Sequence, residues 1–203
     1  MRDAGFGAQG FFLKNRLHYR AGVYQGARQT GGRNSYRYAG RLQYEFFDTE
    51  TSTFVYPGTN LGNKKILALG IGTDNQSGYH AYSADVFFDI PIGKGNAVNG
   101  SFSWFQYDGQ SWFPTLPRQN DFLVEAGFYF GSAKVHPFFQ YQSVNHANAA
   151  DEAKDSRRYQ LGLHYYVSGQ NLKLSAAYTR LDPLRAGAPS TNQLTIQLQA
   201  FYN

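Results

Sequence analysis

Cysteine does not occur in this chain of 203 residues, charged residues make up only 16% of it, and no apolar run approaches the ~18 residues that a transmembrane helix needs. The first absence rules out a disulfide framework and fits a compartment in which stray thiols oxidise. The second leaves the chain well under the usual charge content of about 25%. The third excludes helical membrane spans but leaves strand-built ones open. A barrel strand is apolar on one side only, so it hides behind a polar average such as the mean hydropathy of −0.50 found here. The opening MRDAGFGAQG also lacks a basic stretch followed by an apolar core, so no secretion signal is visible in it.

What the chain has instead is 22 glycines and 17% aromatic residues, a β composition, with a mild formal net charge of +5. Its closing stretch, TNQLTIQLQAFYN, sets Leu194, Ile196, Leu198, Ala200 and Tyr202 against Gln193, Thr195, Gln197 and Gln199. That is the period of two expected of a strand with one apolar and one polar side. Eleven alternating segments are predicted, near 3–13, 17–27, 35–47, 65–74, 80–92, 97–108, 121–131, 134–145, 156–168, 171–181 and 192–202, in a single domain covering 1–203. No segment reads as a helix. A repeat of roughly 15–20 residues suits a long-stranded barrel better than a sandwich. Alternate connections are short (KNR at 14–16, GKGN at 93–96, SAK at 132–134, SGQ at 168–170), while the others are longer and wetter, such as 108–120, 145–155 and 182–191. Residues 48–64, DTETSTFVYPGTNLGNK, break the pattern by being long where a short turn is due.

Charge sorts by face. Tyr36, Tyr38, Gly40, Leu42, Tyr44 and Phe46 oppose Arg37, Ala39, Arg41, Gln43 and Glu45; Tyr82, Ala84, Val86, Phe88, Ile90 and Ile92 oppose Ser83, Asp85, Phe87 and Asp89. Phe122, Val124, Ala126, Phe128 and Phe130 likewise oppose Leu123, Glu125, Gly127 and Tyr129, and Tyr159 to Val167 oppose Arg158 to Tyr166. No charge falls on any of these apolar sets. A water-soluble barrel turns the apolar set inward and a membrane barrel turns it outward, and alternation alone does not choose between them. Three features favour the membrane barrel: aromatics at strand ends (Tyr44, Phe46, Phe130, Tyr159, Tyr202), alternating short and long connections, and a polar face rich in Gly, Ser, Thr and Gln.

The stretch RDAGFGAQGFFLKNRLHYRAGVYQGAR resembles the internal hairpin of the phosphate-selective porin O/P family of Gram-negative outer membranes, in which an Arg-Asp-x-Gly start, a tight turn and an RLxYRxGVxxG strand follow one another. YPGTNLGNKKILALGIGTD resembles the segment that follows, long turn included, and the final alternating strand is similar to the terminal signal read by barrel-assembly machinery. Family members end on the aromatic itself, whereas here Asn203 follows Tyr202. The resemblance implies an antiparallel transmembrane β-barrel of roughly 16 strands, assembled as a homotrimer in the bacterial outer membrane. It also implies that about five N-terminal strands and a signal peptide lie outside this chain, which agrees with bacterial single-chain barrels having even strand numbers. Its partners would be the lipid bilayer and small anionic solutes, with no cofactor and no nucleic acid.

Other motifs read as chance or solvation. GFGAQG at 5–10 matches the dinucleotide-binding G-x-G-x-x-G, but that motif needs a helix at its end and the chain alternates and turns there. Glycines at such places make room on the inner side or ease curvature. His18, His80, His136, His146 and His164 lack metal-ligand spacing, the acids Asp48, Glu50, Asp151 and Glu152 fall in loops, and Ser101 and Ser103 have no nucleophile elbow or paired base.

The basic residues of the polar face carry the functional expectation. Arg20, Arg37 and Arg41 fall on neighbouring predicted strands, and Arg158 and Lys173 on another adjacent pair, where guanidinium and ammonium groups on a pore wall would attract passing anions. Pairing with Glu45, Asp85, Asp89 and Glu125 would cancel much of that field. The expected function is passive diffusion of small hydrophilic solutes, weakly favouring anions, with no enzymatic chemistry. Two alternatives stay open: a barrel sheathing a partner such as an electron-transfer protein, and a soluble β-barrel ligand binder with the faces exchanged.

Overall fold

Alternation of this regularity builds strands and little else. The computed structural model describes residues 3–28, 35–51, 58–93 and 95–201. They form β1 (Gly5–Phe12), β2 (Leu17–Tyr24), β3 (Arg37–Glu45), β4 (Ile66–Gln76), β5 (Tyr79–Pro91), β6 (Ala97–Asp108), β7 (Gln119–Tyr129), β8 (Val135–His146), β9 (Ser156–Ser168), β10 (Leu172–Pro183) and β11 (Thr191–Ala200). One turn of 3-10 helix, Glu152–Lys154, is the only departure from strand and turn among the described residues. The strands make a single antiparallel sheet in chain order. It is not closed: β1 and β11 are its edges.

All eleven predicted strands are present, and GFGAQG lies within or beside β1 with no helix after it. The long connection at 48–64 does join β3 to β4 at the short-turn end, although residues 52–57 within it lie outside the described residues, as does Tyr202. One expectation is corrected. Connections at the other end were expected to be long, yet β4 and β5 meet through the two residues Ser77 and Gly78 alone. Ser77 takes φ of 54°, the left-handed twist that lets a two-residue hairpin turn follow the twist of its strands.

Register fixes which side chains share a face. Arg20 lies opposite Arg41, Asp85 opposite Ser103, Glu125 opposite Gln140, and His136 opposite His164. This face is the sheltered one: Asp89 is 0% exposed, and Glu45 and Asn99 1% each. The other side is bare. Leu161 on β9 is 63% exposed and Ile71 on β4 59%, although both strands are paired on either side. The usual arrangement of apolar residues inside and polar residues outside is therefore inverted.

Two faces of a single layer differ this much only when the sheet curls around one of them. A direct mark of the curl is the backbone at residues 59 and 60. The Asn60 N–H donates to Asp89 on β5, while the Thr59 carbonyl accepts from Gln170 Nε2 at 2.6 Å, in the turn after β9. A flat sheet would hold β5 and β9 four strand spacings apart, ~19 Å. Curling brings both onto neighbouring residues of one segment.

Candidate functional site

The sheltered face reads in three tiers from the long-loop end to the short-turn end. At the first, Arg37 Nε donates to Asp74 Oδ1 at 2.7 Å and a second guanidinium nitrogen pairs with the same carboxylate. Asp3 stands 3.9 Å from Arg37 Nη1. Tyr79 packs edge-on against Phe113 of the β6–β7 loop with ring centroids 5.0 Å apart, and Phe105 and Tyr107 lie nearly parallel at 6.1 Å. Outside the strands, Lys154 Nζ sits 2.6 Å from Asp151 Oδ1 and holds that carboxyl below its usual range.

The middle tier carries most of the charge. Arg41 makes a two-pronged pair with Asp85, Nη1 to Oδ2 at 2.5 Å and Nη2 to Oδ1 at 2.8 Å, the geometry in which guanidinium and carboxylate bond most strongly. Gly70 on β4 leaves the space these groups occupy: a Cβ there would collide with both. Arg20 is cross-strand from Arg41 and places Nε 3.5 Å from His18 Nε2. Glu125 accepts from Gln140 Nε2 at 3.1 Å. Arg158 is exposed and has no carboxylate partner among the described residues.

The third tier is aromatic and densely packed. His136 Nε2 donates to Asn99 Oδ1 at 3.0 Å, in a space that Gly127 leaves by having no side chain. His164 stacks between Phe138, at 4.5 Å, and His136, at 5.6 Å, and its Nδ1 lies 2.8 Å from Ser175 Oγ. Tyr129 and Tyr166 meet edge-on at 5.6 Å, and Lys173 Nζ stands 5.8 Å over the Tyr166 ring.

All nine residues singled out from the sequence, Arg20, Arg37, Arg41, Arg158, Lys173, Glu45, Asp85, Asp89 and Glu125, share this face. Of the four acids expected to neutralise the bases, Asp85 makes an ion pair with one of them, Arg41, among the described residues. Glu45 instead accepts from Gln43 Nε2 at 3.0 Å and from the Glu50 N–H at 2.6 Å, and Asp89 accepts from the Asn60 N–H. These two carboxylates anchor the β3–β4 connection. Asp74, Asn60, Gln170 and the paired imidazoles went unnoticed in the sequence. Alternation alone would have put Asp74, four residues before Gly78, on the same face as Arg37. The contacts across strands had no sequence signal.

No protein-family model, curated protein or solved structure matches the chain. Among the described residues no group of three or more His, Cys, Asp or Glu side chains could hold a metal ion, and no helix is long and apolar enough to cross a membrane, which says nothing of strands. Chemically, the face offers guanidinium, carboxylate, amide, hydroxyl and aromatic groups along a curled wall. Groups of these kinds can exchange weak contacts with a hydrated solute.

Proposed function

We propose that the sheet is part of the wall of a transmembrane β-barrel in the bacterial outer membrane, and that its sheltered face lines a channel for passive diffusion of small hydrophilic solutes with a weak preference for anions. The observation that carries this reading is the bare apolar face. Contiguous exposed apolar patches beyond a few hundred Å² are rare on soluble proteins, yet here the whole outer side is apolar through the middle of the strands. A soluble ligand binder would need the two faces exchanged.

Aromatic spacing supports the same reading. Tyr38 and Tyr44, Tyr82 and Phe88, Phe122 and Phe128, and Tyr159 and Tyr165 are each six residues apart on one outward face, about 20 Å along the strand. Between each pair lie aliphatic and small residues. At the long-loop ends of the strands the outward face turns polar, with Asn75, His80, Asn120, Arg157, Arg180 and Asp182. Polar, aromatic, aliphatic and aromatic bands in that order are what a bilayer imposes on a barrel's outside.

The anion preference rests on exposure, since the strands' sheltered face holds as many acids as bases and one more: Glu45, Asp74, Asp85, Asp89, Asp121 and Glu125 against Arg20, Arg37, Arg41, Arg158 and Lys173. Glu45 and Asp89 are buried and engaged by backbone N–H groups, while Arg20 and Arg158 are exposed toward a passing solute. The resemblance to the porin O/P family agrees with this reading and adds a homotrimer to it. Planar-bilayer recording under a salt gradient is the test. Discrete conductance steps with a small anion-directed reversal potential are expected, moving toward cations in Arg158→Glu. A purified, folded protein that never produces steps would overturn the proposal.

A further inference from the structure

We infer that residues 58–63 set the size limit of the channel; this rests on the channel function proposed above. The β3–β4 connection arrives at the short-turn end, where every neighbouring hairpin closes in a few residues, and turns back across the sheltered face. Three anchors hold it on widely separated parts of the wall. The Asn60 N–H donates to the Asp89 carboxylate on β5, and the Thr59 carbonyl accepts from Gln170 beyond β9 at 2.6 Å. Between these, Leu61 packs against the cluster of Ala97 on β6, Tyr129 on β7 and Tyr166 on β9.

A segment fixed at both ends of an arc is its chord, so it takes cross-section from the space the arc encloses. Here the chord is buried as well as anchored. Thr59 is fully buried, and Leu61 and Gly62 take φ of 55° and 77° in succession. Gly62 also passes so close to the β5–β6 turn that a Cβ there would stand 2.7 Å from the Gly95 carbonyl oxygen. Its base is closed on itself beside the ends of β3 and β4: Lys64 Nζ meets Glu50 Oε2 at 3.0 Å, and the Lys65 N–H donates to Asp48 Oδ2 at 2.7 Å. Solutes reaching the short-turn mouth therefore pass between this chord and the remaining wall, whose nearest charged group on β10 is Lys173.

The experiment reconstitutes the full chain in liposomes and follows swelling in a graded series of neutral sugars, from pentoses to tetrasaccharides. Leu61→Gly removes the apolar anchor and suits the left-handed backbone at that position; Gln170→Ala removes the distal hydrogen bond from a turn outside the strands. Each variant should admit sugars one size larger than the unaltered protein, and the pair together larger still. The reversal potential should stay unchanged because no charge is altered. Variants that keep folded-barrel mobility on gels and exclude the same sugars as the unaltered protein would overturn the inference while leaving the channel standing. An unaltered protein permeable to nothing would overturn both.

Discussion

Replacing Leu161 by Arg asks hydrocarbon and water to declare themselves. Leu161 lies on β9 between Tyr159 and Tyr165, bare on the outward face, with Tyr178 of β10 as one cross-strand neighbour and Phe139 of β8 as the other. A surface substitution that touches no cap, core or network changes stability by no more than about 0.5 kcal/mol in water. The same arginine near the middle of a bilayer on a barrel's outer side costs about 2–4 kcal/mol, a drop of roughly 30- to 1000-fold in the folding equilibrium at about 1.4 kcal/mol per decade. Denaturant titration of the barrel in phospholipid vesicles, read by tryptophan fluorescence and gel mobility, separates these outcomes. The control is Gln160→Arg, one residue away on the sheltered face, which should cost far less. Two internal checks follow from depth: Val167→Arg, beyond the inner aromatic row, should cost less than Leu161→Arg, and the difference should vanish in a detergent-free preparation if one can be made. Equal and negligible costs at Leu161 and Gln160 would refute the assignment of the bare face to lipid.

Three further substitutions probe the sheet itself. Arg41→Gln breaks a two-pronged ion pair with water access on one side, so it should destabilise the fold by about 1–2 kcal/mol; it also leaves Asp85 unneutralised, and the reversal potential should move toward cations, both effects failing to appear if Arg41 points away from Asp85 in the working protein. Gly127→Ala drives a methyl group into His136 and the bond it makes to Asn99, which should cost about 1–3 kcal/mol for the buried polar groups left unpaired. Gly40→Ala meets nothing closer than 3.7 Å and should be near neutral in the same unfolding assay.

Strand number, strand limits and the sorting of faces were legible in the sequence because alternation is enforced at every residue once one side of a strand meets a different medium from the other. Leu194 through Ala200 and Tyr159 through Val167 read correctly for that reason. Which side is sheltered does not follow from alternation alone, since the same pattern serves a soluble barrel; the bareness of Leu161 and Ile71 beside the burial of Asp89 and Asn99 shows it. The functional residues divide similarly. A basic residue at an even or odd place is assigned to a face by parity, so Arg20, Arg41 and Arg158 could be grouped. Which acid meets which base depends on stagger between strands, and Asp74 was missed while Asp89 and Glu45, weighed as partners of those bases, are seen among the described residues on the β3–β4 connection instead. Both of the latter are turned instead to holding the one connection that broke the turn pattern, and the sequence signal of that anomaly was its length rather than any residue in it.

Strand parity constrains how such a wall can be sealed. With eleven strands alternating in direction, β1 and β11 run the same way, so their meeting would be a parallel pair, whereas the ten existing pairs are all antiparallel. A second copy inserted in the same orientation presents the same difficulty at both seams. Unpaired strand edges are not tolerated in hydrocarbon, because each bare N–H and C=O there costs several kcal/mol. If the bare face does meet lipid, then, one of two things is true of the sheet in its membrane: it carries one parallel seam, or an odd number of further strands stands between β11 and β1.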